Sequence, residues 1–306
     1  MVTVRRTFLI SLEISQRCKY ETTQMNANQH TGTLHIVATP IGNLSDISLR
    51  MREVLATADI IACEDTRHTR KLLSHLNISA KLTSCHRDNE QQKATQLVER
   101  LLSGSTVALV SDAGTPGLSD PGAVLVRAAR AAGITVVPVP GPSALATALS
   151  VAGLDDSNFY FGGFLSAKKS ERRKQLTALK SLPCPMIFYE APHRIEAALQ
   201  DCFDILGDRQ AQVFRELTKL HEEHKAGMLS ALIEQMSGKV LGELVLLVSG
   251  AEEKQHEERP ENLDELILWH RDQEGSSLKD AAKQIADALD MPKSQVYQRA
   301  LSLWQT

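Results

Sequence analysis

The chain has 306 residues, of which 42% are hydrophobic and 23% charged, with a net charge of −3. This composition can bury a sizeable core in two domains plus an appendage, and it excludes a low-complexity or disordered chain. The slightly negative balance gives no bulk electrostatic footprint for nucleic acid, so any RNA binding has to come from a local patch.

Residues 1–24 read as an extension outside the folded body. Arg5-Arg6 before Phe8-Leu9-Ile10 imitates a signal peptide, but Glu13, Arg17 and Lys19 interrupt the apolar run and no small-residue cleavage site follows. Met25, just before the polar lead-in Asn26 to His30, is the expected natural start, and residues 1–32 are expected to be disordered. No apolar stretch approaches the roughly 20 residues of a membrane span.

From Thr33 to about Leu149 strand and helix patterns alternate, with strands expected near 34–38, 59–63, 81–85, 106–110 and 134–139. That is a doubly wound α/β domain over 33–149. The fourth strand opens into Ser111-Asp112-Ala113-Gly114-Thr115-Pro116-Gly117-Leu118-Ser119-Asp120-Pro121-Gly122. Its glycines let the main chain approach a small molecule closely, while Asp112 and Asp120 supply acceptors. Three more strands end alike, in Thr39-Pro40-Ile41-Gly42-Asn43, Glu64-Asp65-Thr66-Arg67-His68 and Pro140-Gly141-Pro142-Ser143-Ala144. Ligands of an open α/β sheet sit at the carboxyl ends of its strands, so four such loops favour an enzyme over a scaffold.

A second α/β domain is expected over 150–250, with strands near 158–162, 185–189, 211–215 and 243–248 and helices near 168–181, 193–206 and 228–236. In Lys168-Lys169-Ser170-Glu171-Arg172-Arg173-Lys174 five of seven residues are basic, a segment suited to clamping a phosphate backbone. Residues 251–262 read as a solvated linker. The tail over 263–306 contains two expected helices joined at Asp290-Met291-Pro292, with the stripe Leu278, Ala281, Ala282 and Ile285 on the first and Ser294 as N-cap of the second, as in a helix-turn-helix. The tail is not strongly basic, so docking on the body or on a protein partner stays open beside a nucleic-acid role.

Cys18, Cys63, Cys85, Cys184 and Cys202 form no C-x-x-C pair and read as reduced thiols of a cytoplasmic protein. His68 with His75, and His221 with His224, lack the ligand pattern that a metal requires, and no metal is expected. No G-x-G-x-x-G follows the first strand, which disfavours a nicotinamide dehydrogenase or a common Rossmann-type methyltransferase; G-x-x-x-x-G-K-[ST] is absent, which disfavours a P-loop nucleotidase, and so is a G-x-S-x-G elbow.

Six blocks in register carry a resemblance: Thr39 to Leu44, Glu64 to Arg67, Ser111 to Pro116, Pro140 to Ala144, Tyr189-Glu190-Ala191-Pro192-His193-Arg194, and Arg215-Glu216-Leu217-Thr218-Lys219. Together the chain resembles the tetrapyrrole methylase superfamily, and within it the branch that methylates small-subunit ribosomal RNA. The resemblance implies two α/β/α domains with a small C-terminal helix-turn-helix-like unit. It implies S-adenosylmethionine-dependent 2'-O-methylation of a cytidine in the decoding region of 16S ribosomal RNA, within the small ribosomal subunit. It further implies a homodimer whose cofactor lies in the cleft between domains. The family's cofactor contacts map onto Ile41, Asp112, Gly114, Thr115, Ser143 and Ala144, with Tyr189, Glu190 and Ala191 lining the pocket from the second domain. For Ile41 and Ala144, simple packing is an equal alternative.

A ribose hydroxyl must lose a proton as the methyl group arrives, and Glu64, Asp65, His86, Glu216 and Lys219 are the candidate bases, none assigned. Arg67, Arg194 and Arg215 suit phosphate contacts through the guanidinium fork, and Lys168, Lys169, Arg172, Arg173 and Lys174 extend that basic surface. Buried ion pairs with Glu64, Glu190 or Glu216 are the alternative for the three arginines. Two other readings stay open: methylation of a corrin or uroporphyrinogen ring in the same cleft, and a catalytically silent ribosome assembly factor.

Overall fold

A computed structural model describes residues 31–154, 158–251, 262–272, 277–289 and 291–304. The expected extension over 1–24, Met25, most of the expected linker and Asp290 of the tail turn lie outside the described residues. Contacts divide the chain into two compact units, one running to Ser150 and including Leu217–Leu220, the other comprising Val151–Glu216 and the chain from His221 onward. The four-residue return to the first unit departs from the continuous second domain expected over 150–250. Its reason is local: the Lys219 side chain lies where a Cβ on Gly42 would stand, 2.4 Å from Cγ.

The first unit runs β1 (Thr33–Val37), α1 (Leu49–Thr57), β2 (Ile60–Cys63), α2 (Thr66–His75), β3 (Leu82–Ser84), α3 (Glu90–Leu102), β4 (Val107–Val110), α4 (Ala123–Ala131), β5 (Thr135–Val139) and α5 (Ala144–Val151). The sheet has order β3-β2-β4-β1-β5 and is parallel throughout. Its central strands are apolar on both sides because helices cover both faces. Along β2 and β4, Ile60, Ala62, Val107 and Leu109 join a core with α3 and α4, while Ile61, Cys63, Ala108 and Val110 join a core with α1 and α2.

That division follows from right-handed crossovers. From β1 the chain moves through β2 to β3 at one edge, then returns to β4 and passes on to β5 at the other. Neighbouring β1 and β4 therefore send their connections to opposite faces, and a crevice opens between the loops that follow them. Helix starts are set locally: Ser48 Oγ accepts from Met51 N at 3.1 Å before α1, and Asp65 accepts from Arg67 N at 2.7 Å before α2.

The second unit contains β6 (Tyr160–Phe164), α6 (Lys169–Ala178), β7 (Met186–Glu190), α7 (Ile195–Leu206), β8 (Gln210–Arg215), β9 (Glu223–Met228), α8 (Leu229–Gln235) and β10 (Leu244–Val248). Its sheet is mixed, of order β6-β7-β10-β8-β9, with β6 parallel to β7 and the other pairs antiparallel. Met186 and Phe188 of β7, Leu244, Leu246 and Val248 of β10, and Ala211 and Val213 of β8 pack with apolar residues of α6, α7 and α8.

Two strands differ from expectation. β6 ends two residues later than the apolar run suggests because its pairing with β7 shifts register after Phe161 and resumes at Phe164, opposite Tyr189; Gly162 lies in that shift, where a Cβ would stand 2.5 Å from the Phe188 ring. β9, with sequence Glu-His-Lys-Ala-Gly-Met, has no counterpart among the expected strands, since on this sheet edge its half-buried positions Glu223 and Lys225 are charged, alternate with exposed His224 and Ala226, and carry no apolar run. In the tail, α9 (Leu263–Asp272), α10 (Leu278–Leu289) and α11 (Lys293–Trp304) share a core of Leu266, Ile267, Ala282, Ile285, Ala286, Val296 and Ala300. α9 adds a third helix to the two expected, and α11 begins at Lys293, so Ser294 stands inside its first turn rather than at the cap. Cys63, Cys85, Cys184 and Cys202 are free thiols, with Cys85 one residue past β3. No helix among the described residues is long and apolar enough to cross a membrane.

Candidate functional site

In the first unit, the loops after β1 and β4 are tied together at the switch point. Thr39 N donates to Gly114 O at 2.9 Å and Gly114 N donates back to Thr39 O at 3.0 Å. The buried Thr39 hydroxyl donates to Ser111 O at 3.0 Å. Gly114 adopts φ +79°, the left-handed region that a residue with a Cβ resists, and a Cβ there would stand 3.4 Å from Ile41 Cγ2. The loop after β5 joins on the other side, with Thr115 Oγ1 donating to Pro142 O at 3.2 Å. Gly141 packs so closely on β1 that a Cβ would meet Ala38 Cβ at 3.1 Å. Ile41, Gly114, Thr115 and the segment up to Ser143 are thereby brought together.

Ser143 stands just before α5, where a serine side chain ordinarily caps the free N–H groups of a helix. Its carbonyl accepts from Thr147 N and Thr147 Oγ1, but its hydroxyl oxygen is shielded from solvent and has no hydrogen-bond partner. Ala144 is the first residue of α5.

Beside this cradle lies a group of acids. Asp112 Oδ1 accepts from Asp65 N at 3.1 Å, linking the loops after β4 and β2. Burial pushes the Asp120 carboxyl up to about 6, reinforced by Glu64 and Asp112 and opposed by a Ser111 hydrogen bond and by Arg87. Burial raises Glu64 as well, with Asp112 adding to the shift and Arg87 and His86 opposing it. Glu90, which sequence reasoning missed, accepts from Gly122 N at 2.6 Å and Val124 N at 3.1 Å and so holds the end of the long loop onto α4. A lone Glu on α3 carries no sequence signal for that role.

The other candidate bases have structural employment. The Asp65 carboxylate caps α2 and takes the Arg67 guanidinium at 3.1 Å, and those hydrogen bonds hold its pKa below the usual range. His86 is half-buried, with Nδ1 3.8 Å from Asp88. Glu216, at φ +53°, accepts from Glu243 N at 3.0 Å, and a Cβ on Gly242 would stand 2.4 Å from its side chain. Lys219 lies along Gly42 in the first unit.

In the second unit several expected contacts are turned inward. The Glu190 side chain is fully buried, 2.9 Å from Arg194 Nε, and accepts from Ala191 N at 2.8 Å. Arg194 also donates to Leu165 O. Glu190 and Arg194 thus clamp their own turn, which is the buried ion pair left open as the alternative for Arg194. Tyr189 and Ala191 flank this clamp at the end of β7. Arg215 pairs with Glu223 at 2.8 Å and donates to Leu241 O at 3.3 Å, so it too is engaged within the unit.

The basic helix is likewise divided. The Arg172 guanidinium is 5% exposed and pairs with buried Asp201 at 2.6 Å, so it is not a phosphate contact: a buried carboxylate has already claimed it. Arg173 bridges Asp201 at 2.7 Å and Asp204 at 2.8 Å. Lys168, Lys169 and Lys174 are exposed, and Arg67 in the first unit has an 84% exposed side chain.

The sequence pattern of the tetrapyrrole (corrin/porphyrin) methylases matches residues 33–233. A Vibrio cholerae protein named ribosomal RNA small subunit methyltransferase I is 47% identical over 273 residues, 88% of this chain and 94% of that protein. A Xylella fastidiosa protein of the same name is 54% identical over 224 residues, 72% of this chain and 82% of its own. Among solved structures, Thermus thermophilus uroporphyrin-III C-methyltransferase complexed with S-adenosyl homocysteine shares the fold at TM-score 0.53 and 17% identity, covering 71% of this chain and 97% of that one. The chain belongs to the tetrapyrrole methylase family, alongside the proteins named ribosomal RNA small subunit methyltransferase I.

Proposed function

We propose that the protein is an S-adenosylmethionine-dependent methyltransferase that methylates the ribose 2'-hydroxyl of a cytidine in the decoding region of 16S ribosomal RNA, on the small ribosomal subunit. The observation that carries this reading is the identity of 47% over almost the whole chain to a protein named for ribosomal RNA methylation. The cradle between β1, β4 and β5 supports the cofactor. Two glycines bring bare backbone to its wall, and the unpartnered Ser143 hydroxyl at the start of α5 suits a polar ligand group. Ile41, Asp112, Gly114, Thr115, Ser143 and Ala144 would hold it.

S-adenosylmethionine, when bound, supplies a methyl carbon already activated by its sulfonium leaving group. The protein's own work is then alignment of the acceptor and removal of its proton. Glu64 is the base in this reading, because burial and the neighbouring Asp112 make it a better proton acceptor than an ordinary carboxylate, whereas Asp65 is bound to its helix cap and to Arg67. Arg67, Lys168, Lys169 and Lys174 are the proposed phosphate contacts. A second copy of the chain and a cytoplasmic setting complete the proposal.

The test is transfer of labelled methyl from S-adenosylmethionine to small subunits lacking their 2'-O-methyl marks, with the modified nucleotide mapped. Label on the ribose of one decoding-region cytidine is the expected result. Cofactor binding without label on subunits or free 16S RNA would overturn the substrate, and absence of cofactor binding by calorimetry would overturn the enzyme.

A further inference from the structure

Phe164 closes β6, an edge strand of the second sheet, and is 52% exposed. An aromatic ring at that exposure forgoes much of the free energy its burial would release. It is not loose: its ring meets Tyr189 edge-on, with centroids 5.5 Å apart at 63°, and Tyr189 takes Phe161 in the same way at 5.0 Å. A T-shaped neighbour does not stack over the ring, and about half of the Phe164 surface stays open.

The turn that follows is fixed from three sides. Arg194 donates to Leu165 O, and Arg172 donates to the carbonyls of Ser166 and Ala167 at 3.3 and 3.4 Å. Gln175 Oε1 accepts from Ser166 N at 3.0 Å. The buried Asp201 that holds Arg172 therefore also holds this turn. Beyond it stand Lys168 and Lys169, both exposed and no more than about 18 Å of extended chain from Phe164. Glu171, 4.0 Å from Lys168, is the one acid between Phe164 and Lys174.

We propose that Phe164 is a stacking platform for an unpaired base of the RNA, with Lys168 and Lys169 on the phosphates beside it. Single-stranded nucleic acid is held by this pairing of an exposed aromatic face with adjacent cations. The lysines argue against a second copy of the chain as the occupant. A two-fold contact centred on this patch would set Lys168 and Lys169 against their own counterparts. The inference rests on the RNA reading above.

Steady-state methyl transfer to unmethylated small subunits, measured for wild type, Phe164→Leu and Phe164→Trp, tests it. Leucine keeps apolar bulk but has no π face, so Phe164→Leu should raise KM on the order of ten-fold with kcat unchanged, and Phe164→Trp should restore KM. Lys168→Gln combined with Lys169→Gln should raise KM and flatten its dependence on salt. Equal KM for Phe164→Leu and active wild type overturns the platform while leaving the RNA reading intact. An inactive wild type overturns the RNA reading itself, and the platform with it. A changed sedimentation coefficient for Phe164→Leu also overturns the platform and assigns the patch to a second copy.

Discussion

The acids at the strand ends of the first unit and those of the second unit are handled in opposite ways. In the second unit carboxylates are matched to arginines: Glu190 to Arg194, Asp201 to Arg172 and Arg173, Glu223 to Arg215. Arg215 accordingly holds Glu223 below the usual carboxylate range, and Arg173 does the same for Asp204. In the first unit Glu64, Asp112 and Asp120 gather at the ends of parallel strands, and burial and mutual repulsion raise Glu64 and Asp120. One unit uses its charges as struts. The other pushes Glu64 and Asp120 toward the neutral form, a state expected where protons are to be moved, while its Asp65 is held by Arg67 as a cap.

Substitutions can break that contrast. The largest effect is expected at Glu64: if it takes the acceptor proton, Glu64→Gln lowers kcat by about 10²- to 10⁴-fold with the fold intact, as read by single-turnover methyl transfer. Unchanged kcat would return Glu64 to the role of a packed polar residue. In the second unit Asp201→Ala leaves the Arg172 guanidinium buried without its carboxylate, and the expected loss of stability is about 3–5 kcal/mol in urea unfolding. Replacing both partners, Arg172→Met with Asp201→Leu, should recover most of it. A single substitution that weakened RNA binding with stability unaltered would show that the strut assignment is wrong.

A smaller effect separates backbone from side-chain design. Gly114→Ala places a methyl group at φ +79° and 3.4 Å from Ile41 Cγ2, costing about 1–2 kcal/mol of stability. If the cradle binds S-adenosylmethionine, calorimetry should also show weaker binding. Equal affinity would remove Gly114 from the site.

The first unit was more legible in the sequence than the second, and the same contrast explains why. Each strand of a covered parallel sheet is a short apolar run ending in turn residues, so the runs at Ile60–Cys63 and Val107–Val110 and the loops behind them can be read directly. The loop contacts at Gly114 and Ser143 follow from where those strands end. In the second unit function and structure use the same residue types. Five basic residues in seven cannot announce which two are struts, because Asp201, the acid that claims Arg172 and Arg173, lies on another helix. β9 escaped because a solvated edge strand has no apolar run, and Lys219 returns to the first unit on a contact with Gly42 that neither residue advertises.

The smallest predicted effect follows from the acids of the first unit and depends on pH. The Asp120 carboxyl is at about 6 in the folded chain against 3.8 for an unperturbed group, so between these values the folded state binds more protons than the unfolded one. Stability therefore falls as pH rises through that window, and the penalty is complete above it. Solvent screening of this half-exposed group limits the penalty to on the order of 1 kcal/mol. Asp120→Asn removes it, so the variant should gain stability over wild type at pH 7 and match it near pH 4, in paired urea titrations. An arginine-matched acid such as Glu223 has the opposite sign. Its folded pKa is depressed, so its contribution is present at neutral pH and is lost as the solution is acidified through the folded value. Opposite pH slopes for Asp120→Asn and Glu223→Gln would confirm that the two units use their carboxylates for different ends, and parallel slopes would remove the distinction.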